Sequence, residues 1–171
     1  MKIIEGLKKI KDLKRKADDL KAKVRTHSAY LNIETPVYTD QKGQVSEWLQ
    51  AHKDIIAEIL KLRIAIQTTN ISTLVAIDMP NGKSVEHSIA EWIHRRRDLA
   101  EEERKAWAGL TDRNLKEGTI TQSTDQKVDV KIVRCYEPKV RDVKLEEYIS
   151  EPSIIDSRLE VVNAVTDLLT I

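Results

Sequence analysis

The sequence predicts a mainly α fold: an antiparallel helical bundle or coiled-coil hairpin of about four helices, carrying a small β-hairpin or β-arm. Three observations lead there. Apolar residues recur at three- and four-residue spacings over long stretches, Gly and Pro are scarce at five and four in 171 residues, and strand-like alternation is confined to short segments. A chain of this length is expected to form one domain, 1–171, around a sustained core.

The first helix is expected from about Lys2 to Thr26. Ile10, Leu13, Ala17, Leu20 and Val24 form a coiled-coil-like seam, with Lys and Arg on the remaining faces. Asn32, Thr35, Pro36, Asp40 and Gly43 then break the pattern, because turn formers and the pre-proline restriction on Thr35 oppose a continuing helix. A second helix follows through Val45, Trp48, His52, Ile55, Ile59, Leu62 and Ile66. Leu49, Ile56 and Leu60 widen its apolar stripe beyond one seam.

Beyond Asn70 the spacing changes. Ile71, Leu74, Val75 and Ile77, closed by Pro80-Asn81-Gly82, read as a short extended segment and a turn. Ser84 is read as the N-cap of a third helix with Val85, Ile89, Trp92, Arg96, Leu99, Ala106 and Leu110 on its seam, fraying near Gly109. From Gly118, alternation at Val128, Val130 and Ile132, resumed at Val140, Val143 and Leu145, predicts a β-arm at about 119–147. Pro152 suits the first turn of a fourth helix, carried by Ile155, Leu159, Val162, Val165 and Leu169.

Composition narrows the range of functions. The formal net charge of +1 argues against a globally basic nucleic-acid binder, though it leaves room for a local patch. Cys135 is the single cysteine, so no intrachain disulfide can form and a cytoplasmic setting is expected. The charged N-terminus lacks the apolar core of a signal peptide, and no apolar run approaches the roughly 20 residues of a spanning helix, so no membrane partner is expected.

The order of these features carries a resemblance. A basic heptad helix, Gln67-Thr68-Thr69-Asn70 closing the second helix, an Arg-rich third helix, a β-segment and a terminal Asn163-Ala164-Val165-Thr166-Asp167-Leu168 together resemble small bacterial proteins of the septicolysin-like family. The resemblance spans most of the chain, in short motifs, and departs at Ala164, where the family has an aromatic residue. It implies a helical, self-associating protein without an established enzymatic role. The cytolysin in the family's name finds no support in these residues, which include no long apolar amphipathic hairpin.

Candidate chemistry is sparse. His87, Glu91 and His94 would share one face of the third helix, and Glu91-x-x-His94 resembles half of a carboxylate-bridged di-metal site. A complete site needs a matching Glu-x-x-His and further inward carboxylates, so neither a metal nor another cofactor is expected. His52, at a seam position of the second helix, could act as a ligand or proton acceptor but reads first as a packing residue, and Cys135 reads as a structural thiol, since no neighbour in sequence announces a base. Lys14 and Arg15 in the first helix and Arg95, Arg96 and Arg97 in the third are candidate phosphate contacts of the sequence-independent kind.

Seams without sites point to assembly. Trp48, His52, Ile55, Ile59 and Trp92 are the expected oligomer-interface residues, with a second copy of the chain or another structural protein as partner. The leading expectation is a non-enzymatic, self-associating structural protein, either a bacterial homo-oligomer or a virion or scaffold component. A nucleic-acid-associated protein is the alternative, and a metal-dependent enzyme a distant third.

Overall fold

The computed structural model describes residues 1–121 and 127–169. It is 64% helical, with two small antiparallel hairpins, so the class is mainly α as the periodicity predicts. The element order is α1 (Ile3–His27), α2 (Gln41–Ser72), β1 (Leu74–Asp78), β2 (Ser84–Ser88), α3 (Ile89–His94), a π-helical turn (Arg95–Leu99), α4 (Ala100–Ala108), β3 (Gly118–Thr121), β4 (Lys127–Val130) and α5 (Pro138–Val165). The single expected domain divides into two compact units. Unit 1 holds Met1–Leu74, Ser88–Ala90 and Leu159–Ile171, and unit 2 holds Val75–His87 and Glu91–Arg158.

Unit 1 is built on the α1–α2 hairpin. Its core joins Ile3, Ile10, Leu13 and Ala17 of α1 to Trp48, Ile59 and Ile66 of α2 and to Leu159 and Val162. Gly6 allows a close approach here, since a Cβ on it would lie 2.9 Å from the Leu168 Cδ1. At the start of α1, Glu5 accepts from the Lys2 backbone N–H at 2.8 Å, satisfying one of the orphan donors of the first turn. Asp40 caps α2 by accepting from the Gly43 N–H at 2.8 Å. Gly43 leaves room for this cap, since a Cβ there would fall 2.1 Å from the Asp40 carboxylate and make it shift.

The hairpin loop is closed by an aromatic triangle of His27, Tyr38 and Trp48, with ring centroids 5.4 to 5.5 Å apart. Buried Gln41 ties the same corner together, donating to the His27 carbonyl and accepting from the Val37 N–H. At the other end the two termini pair. Ile3 N–H donates to the Thr166 carbonyl at 3.0 Å and Leu168 N–H to the Met1 carbonyl at 2.8 Å. The Lys2 ammonium reaches Asp167 at 2.7 Å across this bridge.

Unit 2 departs from the expected elements in three places. Ser84 does not cap a helix: residues 84–88 are strand β2, paired with β1 around a turn in which Gly82 takes φ +76°. Asn-Gly between alternating residues is a hairpin signal, and Val85 and His87 alternate inward against exposed Ser84 and Glu86. The third helix therefore starts at Ile89.

The β-arm is also shorter than the expected 119–147. Strands β3 and β4 pair with Gly118 opposite Val130 and Thr121 opposite Lys127. Residues 122–126 of the expected arm lie outside the described residues. Val140, Val143 and Leu145 belong to α5, which begins at Pro138, so Pro152 sits inside the helix rather than at its first turn. Cys135 lies exposed in the loop before α5, not in a strand.

The cause is an inverted pattern. Val140 and Val143 are exposed, while Arg141, Lys144, Tyr148 and Glu151 turn inward at helical spacing. A helix with a polar inward face gives no apolar period to read.

Candidate interaction surface

The residues expected to form an oligomer interface lie on the inward side of their own unit. Trp48 and Ile59 are buried, and His52 and Ile55 half-buried, along the side of α2 that faces α1. Trp92 is 1% exposed in unit 2, where its indole N–H donates to the Val75 carbonyl at 2.9 Å. Trp48, Ile59 and Trp92 are intramolecular core, and His52 and Ile55 are half-buried beside it. The heptad seam was legible in sequence, but which flank of a broad stripe meets α1 depends on how two helices dock.

The outward flank of α2 is the one left uncovered. Leu49, Ile56, Leu60, Ile64 and Ile71 are 42 to 61% exposed and fall in one row at helical spacing, with Lys53 and Gln67 completing it. From Leu49 to Ile71 the row runs about 33 Å at 1.5 Å per residue. Leu60 and Ile64 also line a mainly apolar groove of about 710 Å³ in unit 1, together with Met1, Leu168 and Leu169 and the charged Glu58 and Lys61. A row of this length on a water-facing helix is a candidate interaction surface. Leu49, Ile56 and Leu60 stood out in sequence as the residues that widen the stripe; Ile64 and Ile71 did not.

Unit 2 holds a small polar cavity of about 210 Å³, lined by residues that include His87, Trp92, Arg95, Tyr148 and Glu151. Arg95, at the start of the π-helical turn, grips two carboxylates. It donates to Glu103 through two nitrogens at 2.6 and 3.1 Å and to buried Glu151 through two more bonds. Its guanidinium also lies 5.7 Å from the Tyr148 ring centroid.

The bonds from Arg95 hold the Glu103 carboxyl below its ordinary value against the opposing effect of burial, with Tyr148 adding to the effect. Burial, then the bond to Glu103, raises the Tyr148 phenol. Lys144 pairs with Glu147 at 2.6 Å beside them. The cavity thus pairs its own charges internally, which suits a structural clamp between the π-helical turn and α5.

The metal candidates are not brought together. His87 lies on β2 with its ring against Trp92, centroids 4.8 Å apart, whereas His94 lies on α3 with Nδ1 3.0 Å from the Arg97 Nη2. Glu91 is exposed on α3. The shared helical face fails because residues 84–88 are strand, and no group of three metal-ligating side chains occurs among the described residues.

The arginine cluster is likewise dispersed. Arg95 turns inward to Glu151, Arg96 pairs with Asp156, and Arg97 with Asp98 at 3.4 Å. In α1, Arg15 pairs with Asp12 at 3.2 Å, and Lys14 is exposed on the same helix. Three adjacent arginines on a helix point in three directions, so the run in sequence does not make one patch in space.

No helix among the described residues is long and apolar enough to cross a membrane. No family model and no curated protein matches the chain. The chain is similar in fold to the solved structure of a functionally unknown conserved protein from Corynebacterium diphtheriae, 17% identical, with a TM-score of 0.56 over 99% of each chain.

Proposed function

We propose that the chain is a non-enzymatic, self-associating structural protein that assembles through the outward face of α2. The observation that carries this reading is the row of Leu49, Ile56, Leu60, Ile64 and Ile71, large aliphatic side chains about half exposed along one helix. Covering the row on two copies is worth on the order of 10 kcal/mol, taking half of the roughly 1.5–3 kcal/mol for complete burial of each side chain. That is comparable with the roughly 4–15 kcal/mol that association costs, so a reversible oligomer is the reading, not a permanently fused one. The resemblance to septicolysin-like proteins points the same way. A cytoplasmic homo-oligomer and a virion or scaffold component would use such a face alike.

Sedimentation velocity at tens of micromolar tests this. The expected result is a defined oligomer that Ile56→Lys and Leu60→Lys each convert to monomer while circular dichroism stays unchanged. A monomer for the unaltered chain at that concentration removes the reading.

A further inference from the structure

The row on α2 is symmetric in its spacing about Leu60. Leu49 and Ile71 each lie eleven residues from Leu60, Lys53 and Gln67 each seven, and Ile56 and Ile64 each four. A two-fold contact demands that a surface be complementary to its own image. When two copies of one helix pair antiparallel, the image of each position is the one equally far on the other side of the centre. We infer that α2 pairs antiparallel with α2 of a second copy about a two-fold axis passing at Leu60. This inference rests on the self-association proposed above and adds its geometry.

Under that pairing Leu60 meets Leu60, Ile56 meets the partner's Ile64, and Leu49 meets the partner's Ile71. Large aliphatic residues oppose each other at five of the row's seven positions. The charged member, Lys53, faces the partner's Gln67. A parallel two-fold pairing would instead set Lys53 against Lys53. Like charges held side by side along a desolvating helix contact are repulsive, so the charges select the same orientation that the apolar spacing does. The groove formed by Leu60, Ile64, Met1, Leu168 and Leu169 continues the row sideways at its centre and gives the partner's aliphatic side chains a second wall.

Single-cysteine cross-linking tests orientation and register together. In a Cys135→Ser background, Leu60→Cys, Leu49→Cys and Ile71→Cys are each treated with a short bismaleimide. Leu49→Cys and Ile71→Cys are also mixed. All three sites are exposed, and thermal melting checks that each variant folds. The expected result is a cross-linked dimer from Leu60→Cys alone and from the mixture of Leu49→Cys with Ile71→Cys, but none from Leu49→Cys or Ile71→Cys by itself.

Efficient linkage of Leu49→Cys to itself would mean a parallel pair and overturns the inference. An oligomer by sedimentation in which Leu60→Cys does not cross-link overturns it too, while leaving self-association standing. A monomer by sedimentation overturns both.

Discussion

Thr69, on the buried side of α2, accepts a 2.9 Å hydrogen bond from the backbone N–H of Leu169 while donating its own hydroxyl to the Ala65 carbonyl at 2.8 Å. One side chain thus joins the C-terminal segment to the helix that carries the exposed row. Thr69→Val keeps the shape and leaves the Leu169 N–H without its acceptor. A loss of about 0.5–1.5 kcal/mol in urea denaturation is expected, the net worth of one part-buried hydrogen bond. An unchanged midpoint would show that this bond does not hold the segment.

Trp92 and Leu60 should separate packing from association. Trp92→Phe removes the donor to the Val75 carbonyl and is expected to lower stability by about 1–3 kcal/mol with the sedimentation coefficient unchanged. Leu60→Lys should do the reverse, altering sedimentation at nearly constant melting temperature when measured at a concentration where both proteins are monomeric. Loss of association in Trp92→Phe would restore Trp92 as an interface residue.

The two carboxylates on Arg95 are not equivalent. Glu151 is 2% exposed, whereas the Glu103 side chain is close to half exposed. Glu151→Ala strands a largely buried cation and is expected to cost about 2–4 kcal/mol, somewhat under the value for a wholly buried pair because Glu103 remains. Glu103→Ala should cost under about 1 kcal/mol, as exposed pairs do. Thermal denaturation of the two variants checks the order, and equal losses would contradict it.

Acid should weaken the fold through named pairs. Glu103, Asp112 and Asp167 are held below their ordinary values by hydrogen bonds from Arg95, Arg134 and Lys2 respectively. A carboxyl whose folded value is depressed stabilises the fold above its unfolded value, and that contribution disappears as pH falls through the folded value. Stability is therefore expected to be level near neutrality and to decline below the ordinary carboxylate range near pH 4. Glu103→Gln should flatten part of that decline. A variant whose acid slope matches the unaltered protein would exclude Glu103 as a contributor.

Much of unit 1 was legible because its inward positions are apolar. The α1 seam of Ile10, Leu13 and Ala17 is buried as its spacing predicts, and the breadth of the α2 stripe announced a face that α1 could not cover. Unit 2 hid its organisation. Its longest helix turns Arg141, Lys144, Tyr148 and Glu151 inward and Val140 and Val143 outward, so a reading based on apolar period places a strand where a helix stands. The Asn81-Gly82 signal was present in the sequence, but Ser84 offered a competing helix cap. Only pairing with β1 decides between them, by giving residues 84–88 backbone partners.

The sequence by itself determined the class, the existence of the α1–α2 hairpin and the surplus of apolar surface on α2, since these depend on local periodicity and on how much oil one helix carries. Which flank of α2 stays exposed, where Arg95 points and whether His87 shares a face with His94 were decided by tertiary structure. Each depends on how elements distant in sequence dock. Docking is set by the summed packing of both partners, which no single segment encodes.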